Sequence, residues 1–195
     1  MSLLGISFLN DIVNREGLTN PASILERLRE EIIHALNQKG TPGEARDGMD
    51  VALCSIDLKN MKLQFSGANN PLYIVRPKET EPINDSLVTV HENHALYEIK
   101  ANRTTIAYRK NMFPFSFKQV NLLKGDKIYL FTDGYMDQFE EKSGKKFGSE
   151  QFKKLLISIY KEDMEQQLEI LETTFNKWKG NFDQIDDVLV AGIEI

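Results

Sequence analysis

The feature that most constrains this chain is a double change of hydrophobic period. Its first forty residues repeat every three to four positions, its middle alternates or runs apolar over short stretches, and helical spacing then returns before one last apolar run. Leu4, Phe8, Leu9, Ile12 and Val13 mark a first helix closed by Gly17. Asn20-Pro21 then supplies an N-cap and a proline at the first helical position. Ile24, Leu25, Leu28, Ile32 and Leu36 carry one face of a second helix, which ends before Gly40. The stretch Thr41 to Asp50, with Pro42, Gly43 and Gly48, is a break.

VALCSID, KLQFSGA and LYIVR are short runs rich in β-branched and aromatic residues, and Leu58-Lys59-Asn60-Met61 predicts a hairpin between the first two. Lys78 to Asp85 reads as a surface loop, and YEIK and the segment from Phe117 to Leu122 as weaker strands. KIYLFT is the strongest buried strand. Ser149 is expected to cap a helix bearing Phe152, Leu155, Leu156 and Ile159. Met164, Leu168, Leu171, Phe175 and Trp178 line a further helix as core, and VLVAGIEI closes the chain as a strand. Helices, antiparallel-type strands, helices and a final strand predict an α+β layered domain spanning residues 1–195.

Composition narrows the function. At 195 residues with 41% apolar and 27% charged side chains, the chain is of ordinary globular make-up. A net charge of −5 without a long basic run argues against nucleic acid as partner. No apolar run reaches the roughly 18 residues of a membrane span. MSLLGISFLNDIV lacks the basic start and cleavage site of a signal peptide. Cys54, alone and inside an apolar run, reads as a buried strand cysteine in a reducing compartment, and the expected location is cytoplasmic.

Two acidic positions follow from where the strands end. Asp133 and Gly134 come directly after KIYLFT, and Asp186 and Asp187 directly before VLVAGIEI. Carboxylates at the ends of rigid strands suit a hard cation such as Mg²⁺ or Mn²⁺. Against this, Asp-Gly is a common turn pair and acids in loops are usually solvated. Asp47 and Asp50 read as turn formers, and His91 and His94 as histidines of a polar loop. With three histidines, His34, His91 and His94, and no cysteine cluster, zinc is disfavoured.

Several segments, taken in order, resemble the SpoIIE branch of the metal-dependent (PPM) protein serine/threonine phosphatases. Leu130-Phe131-Thr132-Asp133-Gly134-Tyr135-Met136-Asp137 is similar to the family's Thr-Asp-Gly strand end followed by an acid. Gly144-Lys145-Lys146-Phe147-Gly148 is similar to its Gly-x-x-Phe-Gly loop, and Gln184-Ile185-Asp186-Asp187-Val188 to the acidic pair before its final strand. Ser66-Gly67-Ala68-Asn69-Asn70-Pro71 resembles its Ala-Gly-His-x-Pro loop, with asparagine in the histidine place.

The resemblance implies an αββα sandwich around two Mn²⁺ or Mg²⁺ ions, whose bridging water attacks phosphorus without a phosphoenzyme. It implies Asp133 and Asp186 as metal ligands and Asp137 as an outer acid. Gly134, Asp187, Asn69 and Asn70 would lie beside the site. It also implies a phosphoserine or phosphothreonine protein as substrate, in bacterial signalling.

The family's first acidic motif, Asp-x-x-Gly-His-Gly-x-x-Gly-Ala, would precede the opening helix, where this sequence has Met1-Ser2-Leu3-Leu4-Gly5. The expectation is a partial domain that lacks its N-terminal strands and the acid bridging both metals, with weak metal binding and little hydrolysis. Unpaired sheet edges would then favour a homodimer. Near Asn102 to Ala107 the family often has Pro-Ile-Gly, which is absent here, so no catalytic task falls on that loop. A haloacid-dehalogenase-like reading needs an acid where Tyr135 stands, and a receiver domain needs alternating βα units that the middle strands deny. The remaining rival is a catalytically incomplete module that binds a partner protein through the phosphatase surface.

Overall fold

The structure is a computed structural model and describes residues 1–41 and 47–195. The expected break from Thr41 to Asp50 therefore lies partly outside the described residues. The chain falls into two units, Met1–Pro71 with Lys100–Leu122, and Leu72–Ile99 with Leu123–Ile195. Each joins helices to an antiparallel sheet, which is the α+β class expected from the change of period.

In the first unit, helix α1 (Ser2–Asn10) runs on into a π-helical turn (Asp11–Arg15), and α2 covers Pro21–Ala35. Asn20 caps α2 as its sequence predicts, its Oδ1 accepting from the amides of Ala22 at 3.0 Å and Ser23 at 3.1 Å. Strands β1 (Val51–Asp57) and β2 (Lys62–Ala68) form the expected hairpin, and β6 (Lys118–Asn121) adds to β2. The buried face of α2, Ile24, Leu25, Leu28 and Ile32, packs with Ile12, Ala68, Ile106 and Phe115. Removing these side chains from water supplies roughly 1.5–3 kcal/mol for each large one. Cys54 lies in β1, at the edge of the sheet. It is half-buried rather than buried, β1 having β2 as its one neighbour among the described residues, and burial pushes its thiol pKa up.

The second unit holds a five-stranded sheet in the order β4-β5-β3-β7-β8. Its strands are β3 (Leu72–Pro77), β4 (Leu87–His91), β5 (His94–Ile99), β7 (Lys127–Phe131) and β8 (Val190–Glu194). β7 sits between β3 and β8, and Ile128, Tyr129 and Phe131 are buried, as the apolar run KIYLF requires. Helices α3 (Gly134–Asp137), α4 (Ser149–Ser158) and α5 (Met164–Lys179) follow. Their apolar faces join the sheet in an aromatic core that includes Tyr73, Phe131, Tyr135, Phe152 and Phe175.

Three expectations need correction here. His91 and His94 do not lie in a polar loop; they face each other at the end of the β4–β5 hairpin. LVTVH is a strand with mostly exposed side chains, so burial left little signal in it. Ser149 is the first residue of α4 and not its cap. Gly148 takes the cap position at φ +81°, a left-handed conformation that serine adopts only with strain. Leu168 lies on α5 but is exposed, so the apolar stripe there is broader than the core beneath it.

Candidate functional site

The site begins where β7 ends. The chain leaves the sheet at Thr132, and Asp133 precedes the short helix α3. β8 pairs antiparallel with β7, Val190 opposite Phe131, so the segment entering β8 arrives where β7 leaves. This topology brings the Asp133-Gly134 turn beside Asp186-Asp187. Thr132 ties the two segments together. Its Oγ1 donates to the Asp187 carbonyl at 2.7 Å and accepts from the Leu189 amide at 2.9 Å, while its own amide donates to the Leu189 carbonyl at 3.0 Å. Gly134 lies so close to the Asp187 carbonyl that a side chain there would collide with it. Asp133, Asp186 and Asp187 are all exposed.

The acidic pair is further shaped by local bonds. Asp186 Oδ1 accepts from the Asp187 amide at 2.7 Å, and the Gln184 side chain donates to the Asp186 carbonyl at 2.8 Å. Beneath this segment lies Gln138, which is fully buried. Its Nε2 donates to the Asp183 carbonyl at 3.1 Å, its Oε1 accepts from the Ile185 amide at 3.4 Å, and its carbonyl accepts from Trp178 Nε1 at 3.0 Å. Trp178 is thus a partner of the loop's support as well as part of the core. Thr132 and Gln138 position both acidic segments, and sequence reasoning named neither in that role. A buried Gln leaves no periodic trace, and Thr132 reads simply as the end of a strand.

Asp137 ends α3 and pairs with Lys146, Oδ2 to Nζ at 2.9 Å. Lys146 belongs to the Gly-x-x-Phe-Gly loop, which is pinned to α3 by two bonds. The Phe147 amide donates to the Gln138 carbonyl at 3.0 Å and the Gly148 amide to the Met136 carbonyl at 2.8 Å. Phe147 packs edge-on against Tyr135 and Trp178, with ring centroids 5.2 and 5.1 Å away. The motif is thereby a structural anchor for α3. Burial pushes the Tyr135 hydroxyl pKa well up, and that hydroxyl donates to the Leu171 carbonyl at 2.8 Å.

Asn69 and Asn70 belong to the first unit and have their own surroundings. Asn69 is left-handed, at φ +60°, and its Nδ2 donates to Asp50 Oδ1 at 2.9 Å. Asn70 returns its amide to the Ala68 carbonyl at 2.8 Å. Asp50, read as a turn former, here fixes the asparagine that stands in the histidine place.

A two-ion centre asks about six oxygen ligands of each cation and a carboxylate shared between them. Among the described residues no group of three or more His, Cys, Asp or Glu could hold a metal ion. Asp133 and Asp186 are exposed carboxylates, and Asp137 is engaged by Lys146. These residues do not fit a complete two-metal centre.

The decisive comparison is with protein families: the model of stage II sporulation protein E matches residues 3–195. The chain belongs to the SpoIIE family. Solved structures agree on the fold of this SpoIIE-family chain. The PP2C domain of SiaA from Pseudomonas aeruginosa is 24% identical with a TM-score of 0.79, over 100% of this chain and 68% of that one. The Bacillus subtilis SpoIIE PP2C phosphatase domain with a fragment of its regulatory domain is 15% identical with a TM-score of 0.68, over 98% and 48%. The SpoIIE phosphatase domain presoaked with Mn, also from Bacillus subtilis, is 16% identical with a TM-score of 0.53, over 98% and 73%. At these identities the likeness is one of fold. No curated protein matches the chain. No helix among the described residues is long and apolar enough to cross a membrane.

Proposed function

We propose that this SpoIIE-family chain belongs to a metal-dependent protein serine/threonine phosphatase domain that removes phosphate from phosphoserine or phosphothreonine on a regulatory partner protein, in the cytoplasm of a bacterial signalling system. The observation that carries this reading is the Thr132 clasp, which sets Asp133 beside the Asp186-Asp187 segment on neighbouring strand ends. In the proposal Asp133 and Asp186 are ligands for Mn²⁺ or Mg²⁺, and Asp137 is an outer acid once Lys146 releases it. Gly134 and Asp187 keep the two segments in contact.

The donor set found among the described residues is short of a complete centre. The chain by itself is therefore expected to hydrolyse poorly. The test is turnover of a small aryl phosphate with and without Mn²⁺, read beside a thermal shift. Mn²⁺-dependent turnover lost in Asp133→Ala supports the enzyme. No turnover and no shift with Mn²⁺ favours the second reading, a protein-interaction module that keeps the phosphatase fold. What favours that second reading is the Lys146–Asp137 pair, which sets a cation against the acid that the first reading needs open.

A further inference from the structure

The segment between β5 and β6 is long, and from Ala107 to Phe117 it contains no helix or strand. Ordered loops of this kind are commonly functional. Three sets of contacts fix it to the first unit. The Phe115 ring is buried under the Arg29 guanidinium, 4.8 Å from its centroid. Arg29 also donates to the Phe113 carbonyl at 3.1 Å, and Glu26 of α2 pairs with Arg29 while accepting from the Phe115 amide. Ser116 donates its amide to Asn102 Oδ1 at 3.1 Å, and its carbonyl accepts from Ser66 at 2.8 Å.

This tethered backbone turns apolar side chains outward. Phe113 is 74% exposed, Met112 45% and Phe117 43%. A single exposed apolar residue is unremarkable, but three on one anchored loop, two of them aromatic, match the anchors that dominate protein interfaces. The charge around them is one-sided. From Lys100 to Leu122 the chain has five cations, Lys100, Arg103, Arg109, Lys110 and Lys118, and no acid, in a protein of net charge −5. Arg103, Arg109 and Lys110 are exposed, and the nearby carboxylate of Glu26 is already engaged by Arg29.

We propose that this loop is a docking surface for an acidic segment of a partner protein that also carries apolar or aromatic anchors. Phe113, Met112 and Phe117 would receive the anchors, and Arg109 and Lys110 would steer and pair the acids. Rigid backbone tethers lower the ordering cost of binding. Exposed aromatics beside cations can also stack on single-stranded nucleic acid, but the acidic balance of the whole chain opposes a polyanion. The proposal is independent of catalysis, because none of these residues belongs to the Asp133–Asp186 site.

The test is panning of a random peptide display library on the immobilised chain, followed by titration of the enriched peptides. Two double variants are compared, Phe113→Ser with Phe117→Ser, and Arg109→Glu with Lys110→Glu. All four side chains are exposed, and unchanged thermal melting checks that both variants fold. The expected result is enrichment of peptides combining Asp or Glu with Leu, Phe or Trp, whose affinity falls at least about tenfold in both variants. Enriched peptides without acids, or binding that both variants leave intact, would overturn the proposal. So would tighter binding of polyuridylate or of anionic vesicles at the same loop, or concentration-dependent dimerisation abolished by the Phe113/Phe117 variant, which would assign the face to a second copy.

Discussion

Gly134 owes its identity to the Asp187 carbonyl lying against it. Gly134→Ala is expected to cost about 1–3 kcal/mol, because the obstacle is backbone and cannot rotate away. Urea unfolding measures it, and an unchanged midpoint would show that the two acidic segments are not in contact. His94 supplies a pH dependence. It stacks on Tyr160 with centroids 4.2 Å apart, and burial, followed by the neighbouring Lys161 charge, lowers its pKa below the usual 6.5. A lowered histidine pKa means the unfolded chain binds the proton more readily. Its stabilising contribution is therefore complete above about pH 6.5 and is lost as pH falls through the lowered value. Melting curves across that range are expected to show a smaller decline in His94→Phe than in the parent. Equal slopes would place the titration elsewhere. At this scale the positions of Asp133 and of Asp186-Asp187 next to strands were legible in the sequence, since apolar strand runs leave a visible pattern. Gln138 was not, because a single buried amide has no period.

Among the elements, the clearest is α2, whose start was readable from Asn20-Pro21 and whose cap the structure shows bond by bond. Asn20→Ala is expected to cost about 1 kcal/mol, measurable by chemical denaturation. The β7–β8 junction has a different logic. Thr132→Val keeps the shape of the side chain while leaving the Asp187 carbonyl and the Leu189 amide without a partner. Because both bonds are exposed and water can take the place of the hydroxyl, a loss of about 0.5–1.5 kcal/mol is expected. Amide hydrogen exchange should rise at Leu189 while the core of β3 stays protected, and protection retained at Leu189 would contradict the clasp. Strand β4 escaped the sequence reading although Leu87, Val88, Thr89 and Val90 are strand-favouring residues, because the run is short and lies in a polar stretch, and its side chains are mostly exposed. β7 could not be missed, since buried strands concentrate β-branched and aromatic residues.

For the whole molecule the open question is association. Among the described residues β8 pairs with β7 alone, and Leu189 and Ile193 remain 59% and 37% exposed beside that edge. Unpaired apolar edges recruit further strands. The chain is expected to associate with rising concentration in light scattering, and Ile193→Lys is expected to weaken the association. A monomer at high concentration would remove the idea. This readout is separable from the loop at Phe113, whose substitution leaves the β8 edge untouched.

The sequence by itself determined the class of fold and most element positions, because hydrophobic period and turn chemistry are local properties, while the ordered motifs around Asp133 and Asp186-Asp187 carried the resemblance to the family. Tertiary structure alone decided which segments those acids stand against. The antiparallel pairing of β7 with β8, the Thr132 clasp and the buried Gln138 join residues some fifty positions apart, and no local pattern encodes such a meeting. It also decided that Lys146 pairs with Asp137 and that Phe113 faces outward while Phe115 does not. Burial, unlike period, is settled only when the rest of the chain has packed.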